Sequence, residues 1–205
     1  MVKTKQMKIL AVGCLHGDLT QAKRLAEHAS KESVDLVLFA GDFTQSEKHT
    51  PGLFKVFKDK GLNLALIPGN HESPAHAEAM AKIYGMKFLH GYYAKFGDVA
   101  IFGASANFGI FGLSEKELYD LLKRSADKVK GIAGKTIIVT HAHPSDTKID
   151  FDGRFFGSDG IRRAINKIQP TIAISSNIHE AEGIEDKIGK TRVISVGKQG
   201  KIIEI

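Results

Sequence analysis

Short runs of apolar residues alternate with longer amphipathic stretches through the first half of the chain. Residues 7–13, 34–40 and 62–67 each string together aliphatic side chains and read as buried strands. Between them, residues 19–31 carry helical periodicity and residues 51–60 suit a short helix. Ser73 followed by Pro74 supplies an N-cap and a first-turn proline, opening a helix to about Tyr84. Strands and helices in this alternation predict βαβ units and a parallel sheet.

The rhythm changes in the middle. Residues 92–96 and 99–103, joined across Gly97-Asp98, read as a hairpin, and Ser114 with Glu117 fits a capping box before a helix to about Lys128. Residues 135–140 predict a strand, 158–168 a helix and 171–175 another strand. The end, 192–196 and 201–205 around Lys198-Gln199-Gly200, reads as a second hairpin-like pair. All these elements fit a mixed sheet, or two sheets packed face to face with helices outside.

Composition narrows the class. The 205 residues are 42% hydrophobic and 25% charged, the balance of a globular chain, and they read as one domain over 1–205. No apolar run approaches the ~18 residues of a membrane span, and residues 1–13 do not fit a signal peptide, so neither a membrane partner nor a leader is expected. A lone cysteine, Cys14, argues against a disulfide framework and agrees with a reducing cytoplasm. The net charge of +6 is spread without a long basic block, so no nucleic-acid partner is expected.

The nine histidines matter more, because of where they fall. Five apolar runs end in residues of metal-ligand type. They lead into Cys14-Leu15-His16, Gly41-Asp42, Gly69-Asn70-His71-Glu72, His141-Ala142-His143 and Asn177-Ile178-His179. One histidine after a strand is commonly just a satisfied polar residue. In an α/β sheet, however, ligands bind beyond the carboxyl ends of the strands, so five such endings predict one shared site. Imidazoles with a carboxylate and an amide oxygen suit Mn, Fe, Zn, Co or Ni better than Ca.

These motifs resemble the calcineurin-like metallophosphoesterases, from about residue 7 to residue 197, in their small single-domain branch. The family pattern is Asp-x-His, Gly-Asp, Gly-Asn-His-Asp/Glu, a lone His, and Gly-His-x-His; Gly69-Asn70-His71-Glu72 is its most specific match here. The resemblance implies a four-layer α/β/β/α sandwich, two mixed sheets flanked by helices, with two divalent metal ions (Mn, Fe, Zn or Ni). It implies that Asp42 bridges the metals, that His16 and His179 complete one site with residue 14, and that Asn70 and His141 complete the other with residue 177. His71 would stay unligated, as a proton or hydrogen-bond donor at the phosphate.

The chain departs from the pattern twice. Cys14 stands where the family has Asp, and Asn177, preceded by Ser176, stands where it has Gly-His. Cys14 is open to two readings, a thiolate ligand favouring Zn or Fe over Mn, or a small buried residue at a strand end. Asn177 offers a weaker amide ligand. Arg154 and His143 are candidates for substrate binding, and the glycine- and phenylalanine-rich stretches 107–112 and 152–157 for walls of a cleft. The expected function is a cytoplasmic metal-dependent phosphoesterase, a phosphodiesterase acting on a small phosphorylated substrate, with a homodimer admitted. The alternative is a relative that binds a phosphorylated ligand or a partner without turnover.

Overall fold

The computed structural model describes residues 6–105, 112–150 and 153–205. Its first sheet is made of β1 (Lys8–Val12), β2 (Leu36–Ala40), β3 (Leu64–Ile67), β4 (Lys87–Phe88) and β11 (Lys201–Glu204), in the order β11-β1-β2-β3-β4. The second is made of β5 (Tyr93–Phe96), β6 (Val99–Ala104), β7 (Lys135–Thr140), β8 (Ile172–Ser175), β9 (Glu185–Ile188) and β10 (Thr191–Ser195), in the order β5-β6-β7-β8-β10-β9. β1 to β4 run parallel, as do β6, β7, β8 and β10; the outer strands β11, β5 and β9 are antiparallel.

The period of two along each strand assigns its side chains to two cores. Ile9, Ala11, Leu36, Leu38 and Ile67 meet Ile101, Val139 and Ile174 between the sheets. Their alternates Leu10, Val12, Phe39 and Leu66 face outward to Leu25, Phe57 and Met80, which lie on α1 (Leu19–Lys31), α2 (Lys55–Lys58) and α3 (Pro74–Ile83). On the far side, Phe102, Ile138 and Val193 pack against Leu118, Leu122 and Ile165, carried by α4 (Glu115–Val129) and α5 (Asp159–Ile168). The result is the four-layer α/β/β/α sandwich. Strands covered on both faces are apolar throughout, which explains their unbroken hydrophobic runs.

The predicted helix starts hold for a local reason. Asp18, Ser73, Ser114 and Ser158 each accept the backbone N–H three residues on, and Ser114 with Glu117 forms the full capping box. The C-terminal hairpin is corrected. β10 pairs with β8 and β9, whereas β11 crosses to the other sheet and pairs with β1. The turn 197–200 therefore changes sheets. The partner of β10 is β9, Glu-Asp-Lys-Ile, whose charged edge gives no apolar signal.

Candidate metal centre

The parallel strands β1, β2, β3, β7 and β8 deliver their carboxyl ends to one rim. Backbone hydrogen bonds stitch those ends together: Cys14 N–H to Gly41 O (3.0 Å), His16 N–H to Asp42 O (2.9 Å) and Ser176 N–H to His141 O (3.0 Å). Cys14, His16, Asp42 and Asn177 all adopt left-handed backbone, with φ of 52°, 46°, 52° and 74°. Such conformations are rare for residues with a Cβ and cluster at functional sites. Gly41 has φ of 94°, and a Cβ there would lie 2.5 Å from His141 Nδ1; a Cβ on Gly69 would overlap the Asp42 carboxylate. Glycine at both positions lets the side chains close in.

Among the described residues, three groups of donor atoms converge, each with its members within 4.8 Å of one another: Cys14, His16 and His179; Cys14, Asp42 and His141; and His16, Asp42 and His71. Asn70 joins them, its Oδ1 lying 3.0 Å from His141 Nε2, while Asp42 Oδ2 is 3.3 Å from the same nitrogen and 3.9 Å from His16 Nε2. Burial works against the charge on Asp42. Hydrogen bonding and attraction from His141 when its ring is protonated, with the His71 N–H at 2.9 Å, outweigh it and hold the carboxyl below its usual range. Burial lowers His16 in turn, keeping it neutral with a lone pair to offer.

Hydrogen bonds separate the roles of two histidines that look alike in sequence. His141 Nδ1 lies 2.8 Å from the Ala40 carbonyl and must donate to it, so in the neutral ring Nε2 presents a lone pair toward the Asn70 and Asp42 oxygens. That is the tautomer of a metal-ligating histidine. His71 Nδ1 instead accepts the Ser46 N–H at 3.1 Å, which leaves its proton on Nε2. His71 can thus donate a hydrogen bond from Nε2 without losing its anchor. The lone pairs of His141, Asn70 and Asp42 face one another and fit a cation between them.

Glu72 and Ser176 are contributors to which the sequence reading gave no role. The Glu72 carboxylate accepts from the N–H groups of Asp42 (3.1 Å), Thr44 (2.7 Å) and Gly69 (2.9 Å) and from the Thr44 hydroxyl (2.7 Å). It clamps the β2 and β3 ends, and burial raises its pKa above the usual carboxylate range. Its place in the Gly-Asn-His-Glu motif was the available signal. Ser176 Oγ lies 3.1 Å from Cys14 Sγ, 162 residues away in sequence. Burial pushes the free Cys14 thiol up to about 11, against hydrogen bonds from Ser176 and the Asn177 backbone N–H.

The remaining candidates are less central. Asn177 is half-buried and brings its backbone N–H to Cys14; His179 is exposed beside His16, their rings 5.6 Å apart. His143 is only 2% exposed, and its Nε2 is held by Asp150 Oδ1 at 2.9 Å. Asp150 also accepts from Thr147 and Gly157 N–H, so this pair fastens the loop after β7. His143 Nε2 is thereby engaged in the loop's own bonding. Arg154 lies on the surface of that loop, near the exposed Phe156. Of the proposed cleft walls, residues 107–111 and 152 lie outside the described residues.

The sequence profile of the calcineurin-like phosphoesterase family matches residues 7–181. Among curated proteins, no sequence matches the chain. Among solved structures, the chain resembles a protein from Thermus thermophilus (14% identity, 95% of this chain and 91% of the other, TM-score 0.74). It also resembles a phosphopantetheinyl hydrolase from Mycobacterium tuberculosis (13% identity, 95% and 90%, TM-score 0.67). A third is a dimetal phosphatase from Danio rerio (11% identity, 94% and 88%, TM-score 0.62). At these identities the likeness is one of fold.

Proposed function

Since the chain belongs to the calcineurin-like phosphoesterase family, we propose that the rim of strand ends hydrolyses a phosphoric ester with the help of two divalent metal ions. The observation that carries this reading is the set of opposed lone pairs on Asp42, Asn70 and His141, beside a histidine whose proton faces the same space. Asp42 lies within reach of the donors on either side and is suited to bridge. Cys14, His16 and His179 would hold one ion, and Asn70 and His141, with Asn177, the other. The ions would supply positive charge that screens the phosphate and acidifies the attacking water.

The chain's own residues do the rest. Asn70 and His141 fix one side of the centre, with His141 oriented by the Ala40 carbonyl. His71, anchored by Ser46, is placed to donate from Nε2 to a phosphoryl or leaving oxygen. Glu72 keeps the Asp42 and Gly69 turns at a fixed separation. The substrate class we infer is a phosphodiester or nucleotide, with Arg154 reaching its phosphate. Among the described residues, no inserted segment around the rim would dock a phosphoprotein. No described helix is long and apolar enough to cross a membrane, and the lone cysteine supports a reducing, cytoplasmic setting.

The test is a turnover assay on metal-free protein, reloaded separately with Mn, Ni, Zn and Fe, using bis-p-nitrophenyl phosphate and p-nitrophenyl phosphate. The expected result is metal-dependent release of p-nitrophenol, faster from the diester. Two metals bound with no turnover of either ester would favour the ligand-binding alternative.

A further inference from the structure

The Cys14 sulfur is set up as more than filler. It belongs to two of the three donor groups, one with His16 and His179 and the other with Asp42 and His141. Its immediate neighbours are hydrogen-bonding groups. The backbone N–H of Asn177 donates to it, and the Ser176 hydroxyl lies 3.1 Å away. That hydroxyl is held in place because Ser176 packs directly on Gly13, where any Cβ would collide with it. A thiol acting only as a small core residue has no need of two polar partners. A metal-bound thiolate does, since outer hydrogen bonds orient a ligand and tune its basicity.

We propose that Cys14 is a thiolate ligand positioned by Ser176, and that the Cys14, His16 and His179 side of the centre selects a thiophilic cation, Zn²⁺ or Co²⁺, over Mn²⁺. The inference rests on the metal-dependent reading above and specifies its cofactor. Sulfur and imidazole favour softer ions, whereas the Asp42, Asn70 and His141 side offers two oxygens and one nitrogen and suits a harder one. The two sides therefore differ in what they hold. As the sulfur–metal bond forms, the S–H bond breaks and its proton passes to solvent. Ser176 is a positioning residue, since it acts only through Cys14.

Cobalt is the probe, because thiolate ligation gives Co²⁺ an intense near-ultraviolet charge-transfer band that nitrogen and oxygen ligands do not. The chain has one cysteine, so such a band reports Cys14 alone. Titrating Co²⁺ into the metal-free full chain should produce the band with the first equivalent; Zn²⁺ should bleach it and equimolar Mn²⁺ should not. Cys14→Ser and Cys14→Asp should lose the band while keeping the visible absorption of bound cobalt. Ser176→Ala should keep the band with about 10- to 100-fold weaker cobalt affinity. Bound cobalt without the band in the parent protein would overturn the proposal and leave hydrolysis standing. The band without hydrolysis of either p-nitrophenyl ester would do the reverse. Parent-like affinity in Ser176→Ala would remove Ser176 from the assignment.

Discussion

The two ends of the sandwich make opposite use of their polar groups. At the end away from the rim, Met7, Asp35, Asn63, Phe96, Asp98 and Lys135 line a cleft of about 600 Å³. Its carboxylates meet donors: Asp35 accepts the Lys8 N–H at 2.9 Å, and Asp98 accepts the Gly134 N–H at 2.7 Å. At the rim, with the His141 ring neutral, acceptors face acceptors across Asp42, Asn70 and His141. Volume is a poor guide to chemistry in this molecule. Acceptors brought this close to one another mark the site better, because their mutual repulsion is costly unless a cation answers it.

The contrast can be broken most sharply at Asp42. Asp42→Asn keeps the shape and removes the only carboxylate among the donors, so phosphoesterase activity should vanish while far-ultraviolet circular dichroism stays unchanged. Parent-like turnover would refute the bridging role. His71→Ala should slow turnover by roughly 10²- to 10⁴-fold, the range for a positioned acid, with metal content by elemental analysis unaltered. Loss of metal in that variant would show His71 to be a ligand.

The opposite end should answer in stability. Asp98→Ala, at the β5–β6 turn, removes the side-chain acceptor for Gly134 N–H, which keeps only the Asp98 carbonyl at 3.1 Å, and should cost about 1 kcal/mol in urea unfolding, leaving turnover as it was. A change in turnover would join two regions the contrast separates. The smallest expected effect is at the β9–β10 edge, where Arg192 and Lys201 hold the Glu185 carboxyl down to about 2. A depressed carboxylate stabilises the fold above its ordinary pKa near 4.5 and loses that contribution as pH falls from there toward 2. Glu185→Gln should therefore lower the unfolding midpoint slightly at pH 7, and the difference from the parent should vanish as pH falls toward 2.

Much of this architecture is local in origin and so can be read in the sequence. The run Leu36–Ala40 announces a strand, Ser114 and Glu117 announce a helix start, and the donor residues fall at strand ends. What escaped depends on distant partners. The sheet change between β10 and β11 follows from which edge was left open. Whether His71 or His141 carries its proton toward the centre is set by Ser46 and Ala40, far away in the chain. The Cys14–Ser176 contact likewise exists only once β1 and β8 share a rim.

The pairing of β11 with β1 has a consequence for how the molecule assembles. Lys8 lies opposite Glu204 and Ala11 opposite Lys201, so this ladder closes a loop of nearly the whole chain. Contacts of such separation form slowly, because the entropy of closure falls due before they stabilise anything. Until they form, β1 presents Lys-Ile-Leu-Ala-Val with one edge unpaired, an apolar template for another chain. The interval between docking β2 and capturing β11 is therefore when aggregation competes hardest with folding, and weakening β11 would lengthen it without touching a single metal donor.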